Sequence, residues 1–368
     1  MREGWEYKKL GEVCDIYQPK TISAKELVEN GEFLVYGANG VIGRYNSYNH
    51  VNSEVLMTCR GATCGTINVS KPYSWINGNA MVIHPKNRSI TQSFLTYHLQ
   101  GIDLTDVITG AAQPQITRQS LSPKLICIPS LTEQERIVSE LDILSSIIEK
   151  KKTQLQEYDQ LAQSIFYDMF GDPVTNEKEW DVKKLGEVSK IGTGATPSRE
   201  KEELYYGGDI HWVKTTEVHN CEITNTEETI TQLAIKETNC KIYPPNTLLM
   251  AMYGQGKTRG QIAKLKINAA TNQACAAIIL DEKVCNLDFM YSLLLIKYED
   301  IRAMAQGGNQ ANLNMKLVGS IPTIIPSLDL QQQFASKIES IERQKELIKQ
   351  SISETETLFD SRMDYWFA

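Results

Sequence analysis

The sequence predicts an α/β (α+β) chain built as an internal two-fold pseudo-repeat: two globular domains joined by two long helices that pack on each other. Three observations predict it. Blocks of residues recur in one order, since Trp5–Ile16 (WEYKKLGEVCDI) is matched by Trp180–Ile191 (WDVKKLGEVSKI) and Ile128-Pro-Ser-Leu131 by Ile325-Pro-Ser-Leu328. Ordered self-similarity of this kind is the mark of a duplicated unit. After each I-P-S-L block the apolar residues fall into steps of three and four, the rhythm of a coiled-coil seam. Between the blocks, short apolar runs bounded by turn residues alternate with helical stretches, a mixed pattern.

The boundaries follow from the blocks: residues 1–130 form the first domain, 131–171 the first helix, 172–327 the second domain and 328–368 the second helix. Within the domains, strands are expected at Phe33–Tyr36, Val55–Thr58, Ala80–Ile83, Asn246–Met252 and Ala274–Leu280. Helices are expected at Thr91–Gln100 and Asn286–Met304. Asn39-Gly40, between Val35-Tyr36 and Val41-Ile42, is a hairpin-turn signal. The offsets of the opening and closing blocks differ, so the second domain holds about 22 more residues than the first.

In the first helix Ile137, Leu141, Leu144, Ile148, Leu155, Ala162, Ile165 and Met169 form the seam, with Lys151 and Tyr158 in its two remaining places. The second carries Phe334, Ile338, Ile341, Ile348, Ile352, Phe359 and Trp366. The flaws are complementary: Lys151 corresponds to Ile348, and Lys345 to Ile148. Thr132 with Glu135, and more weakly Asp329 with Gln332, suggest capping boxes. Phe170-Gly171-Asp172-Pro173 is a stop, with Gly just past the helix and Pro two residues on.

At 368 residues, with 41% hydrophobic and 23% charged content, the chain has room for two or three ordinary globular cores. No apolar run reaches membrane-spanning length and the N-terminus has no apolar signal region, so a cytoplasmic protein without a membrane role is expected. The eight cysteines include no Cys-x-x-Cys, and reduced buried thiols are expected in place of a metal site. Net charge is −7, against a strongly basic nucleic-acid coat. The acid is concentrated in the helices, four more acidic than basic groups in 131–171 and three more in 328–368, while residues 1–130 are slightly basic. Any DNA contact must therefore come from local clusters, with a helper subunit sharing the phosphate grip.

Two kinds of cluster could carry such contact. Thr58–Gly65, with Arg60 and Thr63, and Tyr253–Gln261, with Gln255, Lys257, Thr258 and Arg259, are polar loops that follow expected strands. Arg suits guanine edges, Gln suits adenine, and Thr offers a hydroxyl and a methyl. A solvated polar loop is the plain alternative. Near the end of each domain a glycine leads into amides, Gln113 and Gln115 in the first, Gln310, Asn312 and Asn314 in the second. These can read bases or close a turn. Lys214 and Thr215 follow another strand-like run, and Trp212 beside them reads as core. Gly256-Lys257-Thr258 hints at a phosphate loop, but the glycine required five residues before Gly256 is Ala251. No catalytic constellation or metal set emerges, which favours a binding module over an enzyme.

The duplicated W-x-x-K-K-L-G-E-V openings, the I-P-S-L-x-x-Q helix starts with Gln134 and Gln331, and the two-half layout resemble the specificity subunit of type I restriction–modification systems over the whole chain. Tyr36–Gly43, running into Arg44, Thr58–Asn68 and Ile76–Ile83, which includes Asn79, look like one kind of its target-recognition domain. Gly192–Ser198 and Tyr253–Gln261 look like another. The resemblance implies that each domain reads one half of a gapped, asymmetric site on double-stranded DNA, and that the helices form an antiparallel coiled coil that sets the gap. It implies docking of two methyltransferase subunits, with Gln134 and Gln331 as docking candidates, and that a restriction/translocase subunit can join. Catalysis, S-adenosylmethionine and ATP would belong to those partners, leaving this chain non-catalytic and without a cofactor. The rival reading from the residues is a bivalent coiled-coil scaffold that binds proteins.

Overall fold

The computed structural model describes residues 2–110, 113–254, 256–305 and 312–368. The chain divides into two compact units, Met1–Thr153 with Lys349–Ala368, and Gln154–Ile348.

The first unit is built on a four-stranded antiparallel sheet in the order Cys14–Tyr17, Ala80–Pro85, Val55–Thr58, Ile67–Val69. The run V-L-M is apolar and the Thr58 after it is buried too, because both faces of their strand are covered. With side chains alternating at period two, Val55, Met57, Met81 and Ile83 enter one core with Phe94, Leu95 and Leu99 of the helix Gln92–Gly101. Leu56, Ala80 and Val82 enter a second core with Tyr36 and Ile76 of a three-stranded sheet. Thr91 starts that helix, its hydroxyl accepting the N–H of Phe94 at 3.3 Å. The hairpin Phe33–Gly37 to Gly40–Tyr45 turns on Ala38-Asn39, one residue earlier than the sequence signal, because Gly40 pairs with Gly37 in the ladder.

The second unit repeats this plan. Its five-stranded sheet runs Ser189–Thr193, Cys275–Leu280, Leu248–Ala251, Ile262–Leu265, Cys221–Ile223. The row Ile16–Ile83–Val55 across the first sheet has its counterpart in Ile191–Ile278–Leu248 across the second. The longer second half adds one strand to each sheet, Cys221–Ile223 here and a fourth strand in the sheet around the buried Trp212. The helix expected over Asn286–Met304 is two, Leu287–Ile296 and Tyr298–Ala303, broken at Lys297. That residue is buried, its ammonium reaches the carbonyl of Pro173 at 3.5 Å, and burial pushes its pKa down.

The long helices span Leu131–Phe170 and Leu328–Phe367, 40 residues each, or about 60 Å at ~1.5 Å per residue. The hydroxyls that accept their first free N–H groups belong to Ser130 (from Glu133, 3.3 Å) and Ser327 (from Leu330, 3.4 Å), not to Thr132 and Asp329. The helix therefore starts within the I-P-S-L block itself. Gly171, at φ 73°, ends the first helix as expected. Within the first unit Glu140 is paired with Arg362, and Lys151 donates to Ser351 and, at 3.2 Å, to Thr355. The two segments there run in opposite directions. Within the second unit Lys345 bridges Asp159 and Glu342, each at 2.8 Å. Phe166 and Phe170, outside the predicted seam, pack edge-on to Phe334 with centroids 5.6 and 5.4 Å away.

Among the described residues no helix is long and apolar enough to cross a membrane and no cluster suits a metal ion; all eight cysteines carry free thiols.

Candidate nucleic-acid interface

In the first unit the strand Val55–Thr58 runs out at Cys59, and three other segments converge on it. The N–H of Cys59 donates to the carbonyl of Asn79 at 3.4 Å, and its carbonyl accepts the N–H of Ile116 at 3.1 Å. One residue on, Gly61 N–H donates to the Pro114 carbonyl at 3.0 Å. Arg60 and Gln115 are thereby paired across an antiparallel bridge, both exposed. The loop closes on itself through Gly65 N–H to Thr58 O at 2.8 Å, with Gly61 and Gly65 at φ 90° and 94°, a region that side chains disfavour. The Asn39 side-chain oxygen accepts the hydroxyl of Thr63 at 2.8 Å and that of Thr58 at 3.2 Å. Gln18 donates to the Cys59 sulfur and to Gly78 O, both at 3.0 Å.

Five of the expected residues, Arg60, Thr63, Asn79, Gln113 and Gln115, therefore lie along one edge of the first unit. Asn39 and Gln18 join them. Both escaped the sequence reading: Asn39 is legible only as a turn residue, and Gln18 stands alone in a loop. Arg44 does not belong to the edge. Its guanidinium holds the loop before its own hairpin, donating to Gly31 O at 2.5 Å and Glu32 O at 2.8 Å.

The second unit repeats the junction with different side chains. Met252 takes the place of Cys59: its N–H donates to Ala274 O at 2.8 Å and its carbonyl accepts from Leu313 N at 3.0 Å. Tyr253 and Asn312 thus stand where Arg60 and Gln115 stand in the first unit. The loop after Tyr253 is drawn in at its base by Gly260 N–H to Ala251 O at 2.8 Å. It is held from the side by the Tyr298 hydroxyl on Lys257 O and by Arg302 on Arg259 O at 3.4 Å. Lys257 is exposed at the tip, with Thr258 and Arg259 half-buried beside it. The strand Ile262–Leu265 follows in place of a helix, so the segment lacks the frame of a phosphate loop. Gln255 and Gln310 lie outside the described residues.

Five expected residues are corrected by burial and bonding. Gln134 and Gln331 are 0% exposed and so are not docking residues. Gln134 accepts Thr91 N–H at 2.8 Å and donates to Ser89 O and Pro129 O at 2.7 and 3.0 Å. Gln331 does the same with Asn286 N–H (2.8 Å), Val284 O (3.0 Å) and Pro326 O (2.9 Å). Each satisfies buried backbone groups at the start of a long helix. Thr215 is 8% exposed and its hydroxyl is turned onto Asn272 at 3.0 Å, so it cannot reach a base. Asn314 caps the helix Met315–Gly319, its oxygen accepting Leu317 N–H at 2.9 Å. Lys214 is half-buried and held by Glu227 at 2.6 Å and Glu228 at 3.0 Å. Those carboxylates, Glu227 first, raise its pKa and neutralise it toward phosphate.

A further polar hollow in the second unit is lined by Thr193, Thr196, Asn239, Lys241 and Gln273. Thr196 donates to the Gln273 side chain at 2.5 Å. Only the Gly192–Ser198 stretch pointed there in sequence; Asn239, Lys241 and Gln273 come from connecting segments distant in the chain.

The family model described as "Type I restriction modification DNA specificity domain" matches residues 2–157 and 177–357. Among characterised proteins, the chain is 24% identical over 310 residues to the type I restriction enzyme MjaIX specificity subunit of Methanocaldococcus jannaschii, covering 78% of this chain and 70% of that one. It is 24% identical over 242 residues to the EcoR124I/EcoR124II specificity subunit of Escherichia coli, covering 64% and 58%. Among solved structures, the S subunit of the type I restriction-modification system of M. genitalium superposes with a TM-score of 0.62 at 14% identity, over 99% of this chain and 96% of that one.

Proposed function

The chain belongs to the type I restriction modification DNA specificity family, and on that premise we propose that it is the sequence-reading subunit of a type I complex. Each globular unit reads one half of a gapped, asymmetric site on double-stranded DNA. The two long helices pair as an antiparallel coiled coil that sets the gap and docks two methyltransferase subunits, and a restriction/translocase subunit joins them in the restricting complex. The chain itself catalyses nothing: S-adenosylmethionine and ATP are held by the partners, and the complex works in the cytoplasm.

One observation carries this reading. The same strand-end junction is built twice, at Cys59 and at Met252, and presents Arg60 with Gln115 in one unit but Tyr253 with Asn312 in the other. A duplicated backbone with different polar side chains at its edge is what reading two different half-sites requires. The acidic helices fit protein docking better than DNA binding, since phosphate contact calls for cations.

Expressing the chain with its methyltransferase partner and mapping adenine methylation genome-wide tests the proposal. One gapped, asymmetric motif should become methylated, and should vanish when this chain is omitted. Methylation that does not depend on this chain, with no DNA bound by the purified complex, would favour the bivalent protein scaffold instead.

A further inference from the structure

We infer that the first unit reads three consecutive base pairs with one row of side chains, Arg60, Gln115 and Thr109, and that its half-site therefore contains a G·C pair next to an A·T pair. This rests on the DNA-reading function proposed above and goes on to name the bases.

The row follows from backbone bonding. Gln115 exchanges both hydrogen bonds with Thr109, each at 2.8 Å, which makes them a hydrogen-bonded antiparallel pair. On its other side, the flanking bonds Ile116 N–H to Cys59 O (3.1 Å) and Gly61 N–H to Pro114 O (3.0 Å) make Gln115 and Arg60 a non-hydrogen-bonded pair. Directly opposed residues project to the same face, with Cα atoms about 5.5 Å apart in the first kind of pair and about 4.5 Å in the second. Thr109, Gln115 and Arg60 thus stand in line on a three-stranded patch whose central backbone is bonded on both sides. All three are exposed.

The spacing suits a duplex edge. Base pairs rise by about 3.4 Å, and the long, flexible Arg60 and Gln115 side chains can converge on neighbouring pairs from a row spaced about 4.5–5.5 Å. The order of chemistry is then decisive. Arg60 can take both acceptors of a guanine, and Gln115 can pair with the donor and acceptor of an adenine. Thr109 donates its own hydroxyl to the Gln115 carbonyl at 3.2 Å, so its methyl is the group it has left to offer a thymine methyl. Gly110, which follows Thr109, stands at φ 88°, where a Cβ would lie 2.5 Å from Gln113 O, so the backbone beside the row requires glycine. The second unit lacks the arginine at the matching place, having Tyr253, so the two half-sites are read by different chemistry.

Methylation motifs of the complex carrying Arg60→Ala, Gln115→Ala or Thr109→Ser decide the matter. The expected result is a unit-one half-site with adjacent G·C and A·T pairs. Arg60→Ala should relax the G·C position, Gln115→Ala the neighbouring A·T position and Thr109→Ser the next, with the other half-site unchanged. Discrimination at each of the first two positions should fall by about 5- to 150-fold, the equivalent of ~1–3 kcal/mol per bidentate pair. A half-site without that adjacent pair overturns the assignment. So does Arg60→Ala weakening methylation evenly at every sequence, which would make Arg60 a phosphate contact. A complex that binds DNA and methylates a gapped motif while failing these tests overturns only the base assignment; one that binds no DNA overturns the proposed function as well.

Discussion

The side-chain oxygen of Gln134 accepts the backbone N–H of Thr91 at 2.8 Å, the residue that itself caps the helix Gln92–Gly101. One glutamine amide therefore ties the start of a 40-residue helix to the start of a 10-residue one. Gln331 and Asn286 repeat the arrangement in the second unit, again at 2.8 Å and again onto a helix cap.

Gln134→Ala should accordingly act on stability. It strands Thr91 N–H and removes the donor to Ser89 O and Pro129 O in a fully buried place. Each buried group left unpaired costs about 1–3 kcal/mol, so with three groups stranded a total loss of about 3 kcal/mol or more is expected in urea unfolding. Methyltransferase binding by the variant that remains folded should be unchanged; loss of binding at full stability would return Gln134 to the docking role.

His98 makes the first unit acid-sensitive. Its ring is buried, its Nε2 has no partner, and burial pushes its pKa down to about 4 from the ordinary 6.5. The unfolded chain takes up a proton that the folded chain refuses. Stability is therefore full above about pH 6.5 and falls as pH drops toward 4, by about 3 kcal/mol from this group. The second unit packs Leu293 on the equivalent helix, so His98→Leu should flatten the unfolding free energy between pH 4 and 6.5. A slope that persists in His98→Leu would refute the assignment.

Gly194 approaches the neighbouring strand so closely that a Cβ would lie 1.7 Å from Thr271 O. That contact is with backbone, which cannot rotate away. Gly194→Ala should destabilise the second unit by about 3 kcal/mol or more, seen as earlier loss of its protection in hydrogen exchange while the first unit keeps its own.

Lys257 and Thr215, both candidates from sequence, should separate cleanly. Lys257→Ala removes an exposed cation at a loop tip and should reduce the salt dependence of DNA binding by about 0.9 in log–log slope if it meets a phosphate. Thr215→Val should leave salt dependence and sequence preference alone and lower stability by about 1 kcal/mol, the usual worth of a hydrogen bond such as the one to Asn272.

What the sequence determined by itself is the part written in local period and in duplication. Val55–Thr58 is recognisable as a strand because covered faces demand a largely apolar run. The long helices are recognisable because seam residues recur at three and four, and the repeat is recognisable because its blocks keep their order. Tertiary structure alone decided which polar residues are available. Arg60 and Gln115 stand 55 positions apart in the chain and meet across one bridge. Gln134, Gln331, Thr215 and Asn314 look as free in sequence as Gln115, yet they serve buried backbone, a neighbouring amide or a helix cap. The physical reason is that an amide or hydroxyl has the same hydrogen-bonding capacity wherever it stands. Whether it serves the protein or a partner is settled by strand register and burial, which depend on contacts far apart in the chain.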